Sequence, residues 1–145
     1  MIEYTLRTAT VSDIIIHLNR CRDNVIPVLE KITNIEVYSK KLAEYSVTFE
    51  AWYNKDLIGL VAAYFNDPKN KLGFITNVSV IKEYYRKGIA SKLLNDCIVY
   101  GQQNYFQEIR LDVSVSNEQA ISLYRKFNFE EVLNDGVKIS MNKYL

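Results

Sequence analysis

The sequence predicts one α/β (α+β) domain, a mixed central sheet of about seven strands flanked by about four helices. Three observations carry that prediction. Phe74–Val80 is rich in β-branched and aromatic residues, while Ile89, Ala90, Leu93, Leu94, Cys97 and Ile98 recur at helical spacing, so strand, loop and helix follow one another. Three strands, Val47–Tyr53, Leu57–Asn66 and Leu72–Val80, are joined by the short turns Asn54-Lys55-Asp56 and Asp67-Pro68-Lys69-Asn70, which implies an antiparallel meander. A helix from Gly88 to about Gln103 then separates Leu72–Val80 from a strand at Glu108–Val113, a crossover that makes those two strands parallel.

The remaining elements fit around this unit. Glu3–Arg7 alternates as a first strand, and Thr10 with Asp13 opens a helix whose inward face is Ile14, Ile15, Leu18 and Cys21. His17 lies toward its other side, where a solvated or packing role outweighs a catalytic one. Asn24-Val25-Ile26-Pro27 breaks the pattern, and Val28–Tyr45 reads as one or two short helices. Ser116 and Gln119 form an S-x-x-Q box ahead of a helix with Ala120, Ile121, Tyr124 and Phe127 on one face. Glu130–Leu133, the turn Asn134-Asp135-Gly136 and Val137–Leu145 close the chain as a hairpin. The 145 residues show no repeat or linker, so 1–145 is one domain.

Composition excludes several classes. A net charge of +1 gives no broad attraction to nucleic acid or anionic membrane. No apolar run approaches the roughly 18 residues that span a bilayer, and the start MIEYTLRTAT has no apolar signal core. One histidine and two separated cysteines, Cys21 and Cys97, leave no zinc-ligand spacing, so no metal is expected. Both thiols fall in apolar helical contexts, as expected of free cysteines in a reducing cytoplasm.

The chemistry concentrates at Tyr85-Arg86-Lys87-Gly88-Ile89-Ala90-Ser91. A helix start favours a polar N-cap and acids in its first turn, because its free N–H groups and dipole attract negative charge. Here the entrance holds two cations and a glycine. That combination suits an external anion, with Gly88 allowing close approach and Arg86 and Lys87 neutralising charge, and reads as a diphosphate-binding turn.

With both halves in view, the chain resembles the GNAT acetyltransferase superfamily over nearly its whole length. The family's Q/R-x-x-G-x-G/A signature is matched by Gly88 and Ala90, with Tyr85 at the Q/R position and an arginine one residue later. A second signature, N-x-x-A-i-x-L-Y-x-k-x-G-F, is matched by Asn117, Ala120, Ile121, Leu123, Tyr124, Lys126 and Phe129, with Asn128 in place of its glycine. Met141-Asn142-Lys143-Tyr144-Leu145 is similar to the M-x-K-x-L close of many members.

The resemblance implies a GNAT fold splayed between the strands at 72–80 and 108–113, and acetyl-CoA as cosubstrate. Its diphosphate would lie on the N–H groups of Arg86, Lys87, Gly88, Ile89, Ala90 and Ser91, beside Tyr85. Its pantetheine would run along Val78, Ser79 and Val80 and meet the side chain of Asn117. Tyr124 would protonate or hydrogen-bond the leaving sulfur as the catalytic acid. The strand carries Thr76, Asn77 and Ser79 as its polar residues, none a good base, so Glu50, a water chain or an already neutral amine is left for that role. Tyr38, Tyr45, Trp52, Tyr64, Phe65 and Tyr84 are candidates for lining an acceptor cleft, though most suit core or rim positions. The expected function is transfer of acetyl to a small-molecule amine by direct attack. A protein amino group as acceptor, or a non-catalytic acyl-CoA-binding module, are the alternatives. A homodimer through an exposed last strand is also implied.

Overall fold

A seven-stranded sheet forms from the strand alternation, in the order β1-β2-β3-β4-β5-β7-β6. The computed structural model describes residues 1–21 and 34–145. The elements are β1 (Glu3–Leu6), α1 (Val11–Cys21), α2 (Ile35–Tyr45), β2 (Val47–Tyr53), β3 (Asp56–Asp67), β4 (Leu72–Val80), α3 (Ile89–Gln103), β5 (Glu108–Ser114), α4 (Glu118–Lys126), β6 (Glu130–Asn134) and β7 (Lys138–Tyr144), with a 3-10 turn at Lys82–Tyr84. The meander β2-β3-β4 is antiparallel and β4 pairs with β5 in parallel, as the sequence predicts. Of the stretch Val28–Tyr45 expected to hold one or two short helices, residues 28–33 lie outside the described residues, as does the expected break at Asn24–Pro27, and α2 covers most of the rest.

The sheet is covered on both faces. Ile14 and Leu18 of α1 and Ile35 and Leu42 of α2 pack on Leu57, Leu60 and Ala62 of β3. Ile89, Leu93, Leu94, Cys97 and Ile98 of α3, with Ile121 and Tyr124 of α4, cover the other face against Phe49, Val61, Ile75, Leu111 and Val113. Gly59 lets α3 approach closely, since a Cβ there would stand 2.7 Å from the Ile89 side chain. Both cysteines are buried and free, as expected.

A bulge in β4 shapes the rest. Opposite Ala62 and Ala63 of β3 stand Asn77 and Ile75, so Thr76 is an extra residue. Pairing of β4 with β5 runs from Leu72–Glu108 to Ile75–Leu111 and goes no further. Beyond it β4 stays bonded to β3 up to Val80, and β5 to β7 up to Ser114. The two strands therefore part, which is the expected splay. The bulge also flips the side-chain parity of β4: Ile75, Val78 and Val80 pack with the α3 side, while Asn77 and Ser79 face α1.

Two expectations need correction. β7 is not the exposed edge, because the closing hairpin folds back and places β7 between β5 and β6, leaving β6 outermost and exposed along its length. The N-cap of α4 is Asn117 rather than Ser116, its side chain accepting from Ala120 N at 3.2 Å, while Ser116 Oγ turns to Ser114 Oγ at 2.9 Å.

Glu50 is fully buried and ties β1 and the α1 entrance to β2. It accepts from Thr5 Oγ1 at 2.7 Å, Thr8 Oγ1 at 2.6 Å, Ala9 N at 3.0 Å and Thr48 Oγ1 at 2.6 Å. Burial alone would raise its pKa, but the hydrogen bonds from Thr48, Thr8, Ala9 and Thr5 together hold it below the ordinary 4.5. A depressed carboxylate stabilises the fold above its unfolded value and loses that contribution as pH falls through the lower folded one. Glu50→Ala should therefore cost about 2–4 kcal/mol in denaturant unfolding at pH 7, and the gap to the parent should narrow below pH 4.5. A constant gap down to pH 3 would show that the charge is not what Glu50 contributes.

Candidate active site

The gap between β4 and β5 opens into a cleft of about 570 Å³ that continues to the start of α3, a size suited to a small-molecule ligand. Val78, Ser79, Val80, Tyr85, Arg86, Gly88, Ile89, Ala90, Ser91, Asn117 and Tyr124 all line it. Lys87, also expected there, is exposed beside the turn and is not part of the lining. Cys21, Thr76, Asn77, Tyr84, Asp112 and Lys126 complete much of the wall.

The turn has the geometry of an anion site. Gly88 is the N-cap of α3 at φ +74° and offers no side chain to the helix start. The first intrahelical bond is Lys92 N to Gly88 O, so the N–H groups of Ile89, Ala90 and Ser91 have no helical acceptor. No acid lies in the first turn. Arg86 holds φ +64°, a conformation that costs a residue with a side chain about 1–2 kcal/mol. Among the described residues neither Arg86 nor Lys87 is in an ion pair. Space around Gly88 is open, with nothing within 4 Å of an added Cβ.

Tyr124 is held from the end of α4. Asn128 adopts φ +66°, the left-handed conformation its place in the signature requires. Asn128 N donates to Arg125 O at 2.9 Å and Phe129 N to Tyr124 O at 3.0 Å, the paired bonds of a Schellman motif. The Phe129 ring packs edge-on to Tyr124, centroids 6.0 Å apart. Burial pushes the phenol pKa far up, so the group keeps its proton at neutral pH. Its hydroxyl has no hydrogen-bond partner among the described residues, and it lines the cleft. Asn117 spends its carbonyl on the helix cap, leaving its amide N–H groups for a ligand.

The wall on the α1/α2 side is polar. Tyr38 Oη donates to Thr76 O at 3.1 Å and lies 2.9 Å from Thr76 Oγ1. Ser79 Oγ is 2.7 Å from Asn77 Oδ1 and 2.8 Å from His17 Nε2, and His17 Nδ1 donates to Leu57 O at 2.9 Å. His17 is thus fully buried, a packing histidine and not a solvated one. Burial brings its pKa down to about 4 and pushes the neighbouring Cys21 thiol up to about 11.

Asp112 is the residue the sequence reading missed. It is the one carboxylate among the described residues lining the cleft, half-exposed on β5, accepting from Ser140 Oγ at 2.7 Å with Lys138 Nζ at 3.5 Å. Its signal was alternation: Ile109, Leu111 and Val113 are core, so Asp112 faces the other side of the parted strands. Glu50 is not at the cleft, because its carboxylate is consumed by the α1 entrance. Of the six aromatic candidates only Tyr84 lines the cleft, and Tyr38 borders it through Thr76. Phe65 packs against Tyr100 and Phe106, Trp52 donates to Thr5, Tyr64 lies under Lys41, and Tyr45 is exposed. No group of metal-ligating side chains occurs among the described residues, and none of their helices is long and apolar enough to cross a membrane.

Because the Tyr124 hydroxyl is unpartnered, Tyr124→Phe should change unfolding free energy by less than about 0.5 kcal/mol. A loss above about 1 kcal/mol in chemical denaturation would mean that the hydroxyl is internally bonded.

Known proteins place this geometry. A polypeptide from Sulfolobus acidocaldarius described as an N-alpha-acetyltransferase is 33% identical over 147 aligned positions, covering 90% of this chain and 82% of its own. Its counterpart from Saccharolobus solfataricus is 32% identical with the same coverage. Arabidopsis thaliana NAA60 in complex with acetyl-CoA superposes with a TM-score of 0.77 at 19% identity over 100% of this chain and 99% of its own, a likeness of fold. The sequence model of the Acetyltransferase (GNAT) family matches residues 15–129, across the turn, the parted strands and the Tyr124 helix, and the chain belongs to that family.

Proposed function

We propose that this acetyltransferase moves the acetyl group of acetyl-CoA to the free α-amino group of a polypeptide. The observation that carries the reading is the continuity of the cleft: an anion-ready turn at Gly88, a stretch of β4 at Val78–Val80 left without a partner on its β5 side, and a protonated Tyr124 follow one another along it. A diphosphate would rest on the N–H groups of Ile89, Ala90 and Ser91, with Arg86 beside it. The amides of pantetheine would take up the β4 edge in the manner of an added strand, with Asn117 reaching the arm.

An amine attacks the thioester carbonyl, an oxyanion forms, and the C–S bond breaks. Backbone N–H groups of β4 beyond Ile75, free of β5, would receive the oxyanion. Tyr124 gives its proton to the departing thiolate. At neutral pH an α-amine, with an ordinary pKa of roughly 7.7–8.0, arrives largely as ammonium, and Asp112 on the opposite side both attracts it and accepts its proton. The polypeptide acceptor, rather than the small amine expected from sequence, is favoured by the two archaeal relatives. A non-catalytic module has less support, because cleft, proton donor and carboxylate are all present together.

Acetyl-CoA should raise the thermal midpoint saturably, and Gly88→Glu should abolish the shift. Thiol release with a panel of free-amino-terminus peptides should exceed that with amino sugars and polyamines. The reverse preference would restore the small-molecule reading, and a shift without turnover would restore the binding module. Tyr124→Phe should lower kcat about 10²–10⁴-fold with acetyl-CoA binding intact. Asp112→Asn should lower kcat/KM by a comparable factor at pH 7, with partial recovery near pH 9, where the amine is already neutral. Full activity of Asp112→Asn at pH 7 would remove Asp112 from the mechanism.

A further inference from the structure

The polar row beneath the α1 side of the cleft counts its own protons. The Leu57 carbonyl can only accept, so His17 Nδ1 carries a hydrogen. Ser79 has one hydroxyl proton and two close neighbours, His17 Nε2 at 2.8 Å and the Asn77 amide at 2.7 Å. With Oδ1 of Asn77 toward Ser79, the serine proton goes to Asn77, and Nε2 must carry a second hydrogen to donate to Ser79. That is the imidazolium. With His17 neutral, Nε2 is bare and takes the serine proton, and the Asn77 amide must turn its NH₂ toward Ser79. Its carbonyl oxygen then faces the cleft, and the Tyr38 hydroxyl, which receives the amide N–H in the opposite orientation, turns its proton from Thr76 O to that carbonyl while accepting from Thr76 Oγ1; one carbonyl lone pair stays open to the cleft. The two orientations of an amide occupy nearly the same volume, so packing leaves the choice to the proton count.

We propose that Asn77 is a substrate-binding residue whose carbonyl accepts a hydrogen bond from the attacking amine, and that His17, acting through Ser79, is the positioning residue that turns that carbonyl toward the cleft. The inference rests on the acetyl-transfer reading above. An amine needs an acceptor on its N–H and an open lone pair toward the thioester, and a carbonyl at the bulge supplies the first without competing for the second. Neutral His17 is the state burial enforces at physiological pH, since the imidazole titrates only near 4. The groups that face it are Cys21 and Ser79 on the cleft side, and Asp13, Arg20, Lys55 and Asp56 on the other, where Arg20 further disfavours its charge. Glu83 acts on the adjacent Cys21 from the 3-10 turn.

His17 is the chain's one histidine, so its ring nitrogens can be observed without assignment ambiguity. Long-range ¹⁵N–¹H correlation spectra of the ¹⁵N-labelled wild-type protein should show a neutral Nδ1–H ring at pH 7, charging only below about pH 5. A neutral Nε2–H tautomer, or a charged ring at pH 7, overturns the proposal. Asn77→Ala should raise the KM for a heptapeptide with a free amino terminus about tenfold while leaving the acetyl-CoA KM within about twofold, and Asn77→Leu should do the same. An unchanged peptide KM, or an equal rise in both, overturns it as well. Failure of the wild type to acetylate any peptide would defeat the functional reading. A wrong tautomer defeats this inference alone.

Discussion

One extra residue, Thr76 in β4, is the constraint on which the rest of the site depends. A regular β4 would continue its parallel pairing with β5 past Leu111, and the sheet would close. The bulge adds local twist and ends the ladder, leaving backbone N–H and C=O groups of Thr76–Val80 without strand partners on the β5 side. Such groups are costly to bury unpaired, on the order of 1–3 kcal/mol each, so they must stay open to water or to a ligand that resembles a strand. The gap is held open by bonding elsewhere. β3 keeps β4 in place up to Val80, and β7 keeps β5 up to Ser114.

The same parity shift divides the chemistry. On the α3 side the cleft offers free amides, the cation Arg86 and the protonated phenol of Tyr124, with no acid in the first turn of the helix. On the α1/α2 side it offers Asp112, Asn77 and Ser79. In the proposed reaction an anionic thioester carrier and a cationic amine would thus be drawn to opposite faces of one opening, and would meet where the strands part. Positioning of this kind lowers a barrier without any strongly activated nucleophile.

What the sequence disclosed follows from how local each signal is. The Gly88 turn, the α3 face and the Tyr124-Asn128-Phe129 ending are encoded within a few residues, through free N–H groups, helical period and a left-handed cap. Glu50 and His17 were less legible for the opposite reason. Glu50 is defined by Thr5, Thr8 and Ala9 more than 40 positions away, and His17 by Leu57 and Ser79. Asp112 was hidden in another way: it reads as an ordinary outward residue of an alternating strand until the neighbouring strand leaves. The bulge itself has no mark in β4, whose parity change between Ile75 and Val78 is visible only against β3.

The turn at α3 shows how such a site is sustained. Arg86 and Gly88 both hold positive φ, no side chain caps the helix, and two cations stand against its dipole. Gly88 adopts its φ without steric cost, but the Arg86 conformation costs about 1–2 kcal/mol and each cation about 0.3–1 kcal/mol, and neither is offset inside the turn. The compensation is supplied nearby, where α3 buries Ile89, Leu93, Leu94, Cys97 and Ile98 and where the absent side chain of Gly59 lets its first turn seat against β3. Burial of a single large apolar side chain contributes roughly 1.5–3 kcal/mol, so two of these residues balance the strained entrance. The helix is anchored by its packing face, which frees its N-terminus to be shaped for a ligand instead of for its own stability.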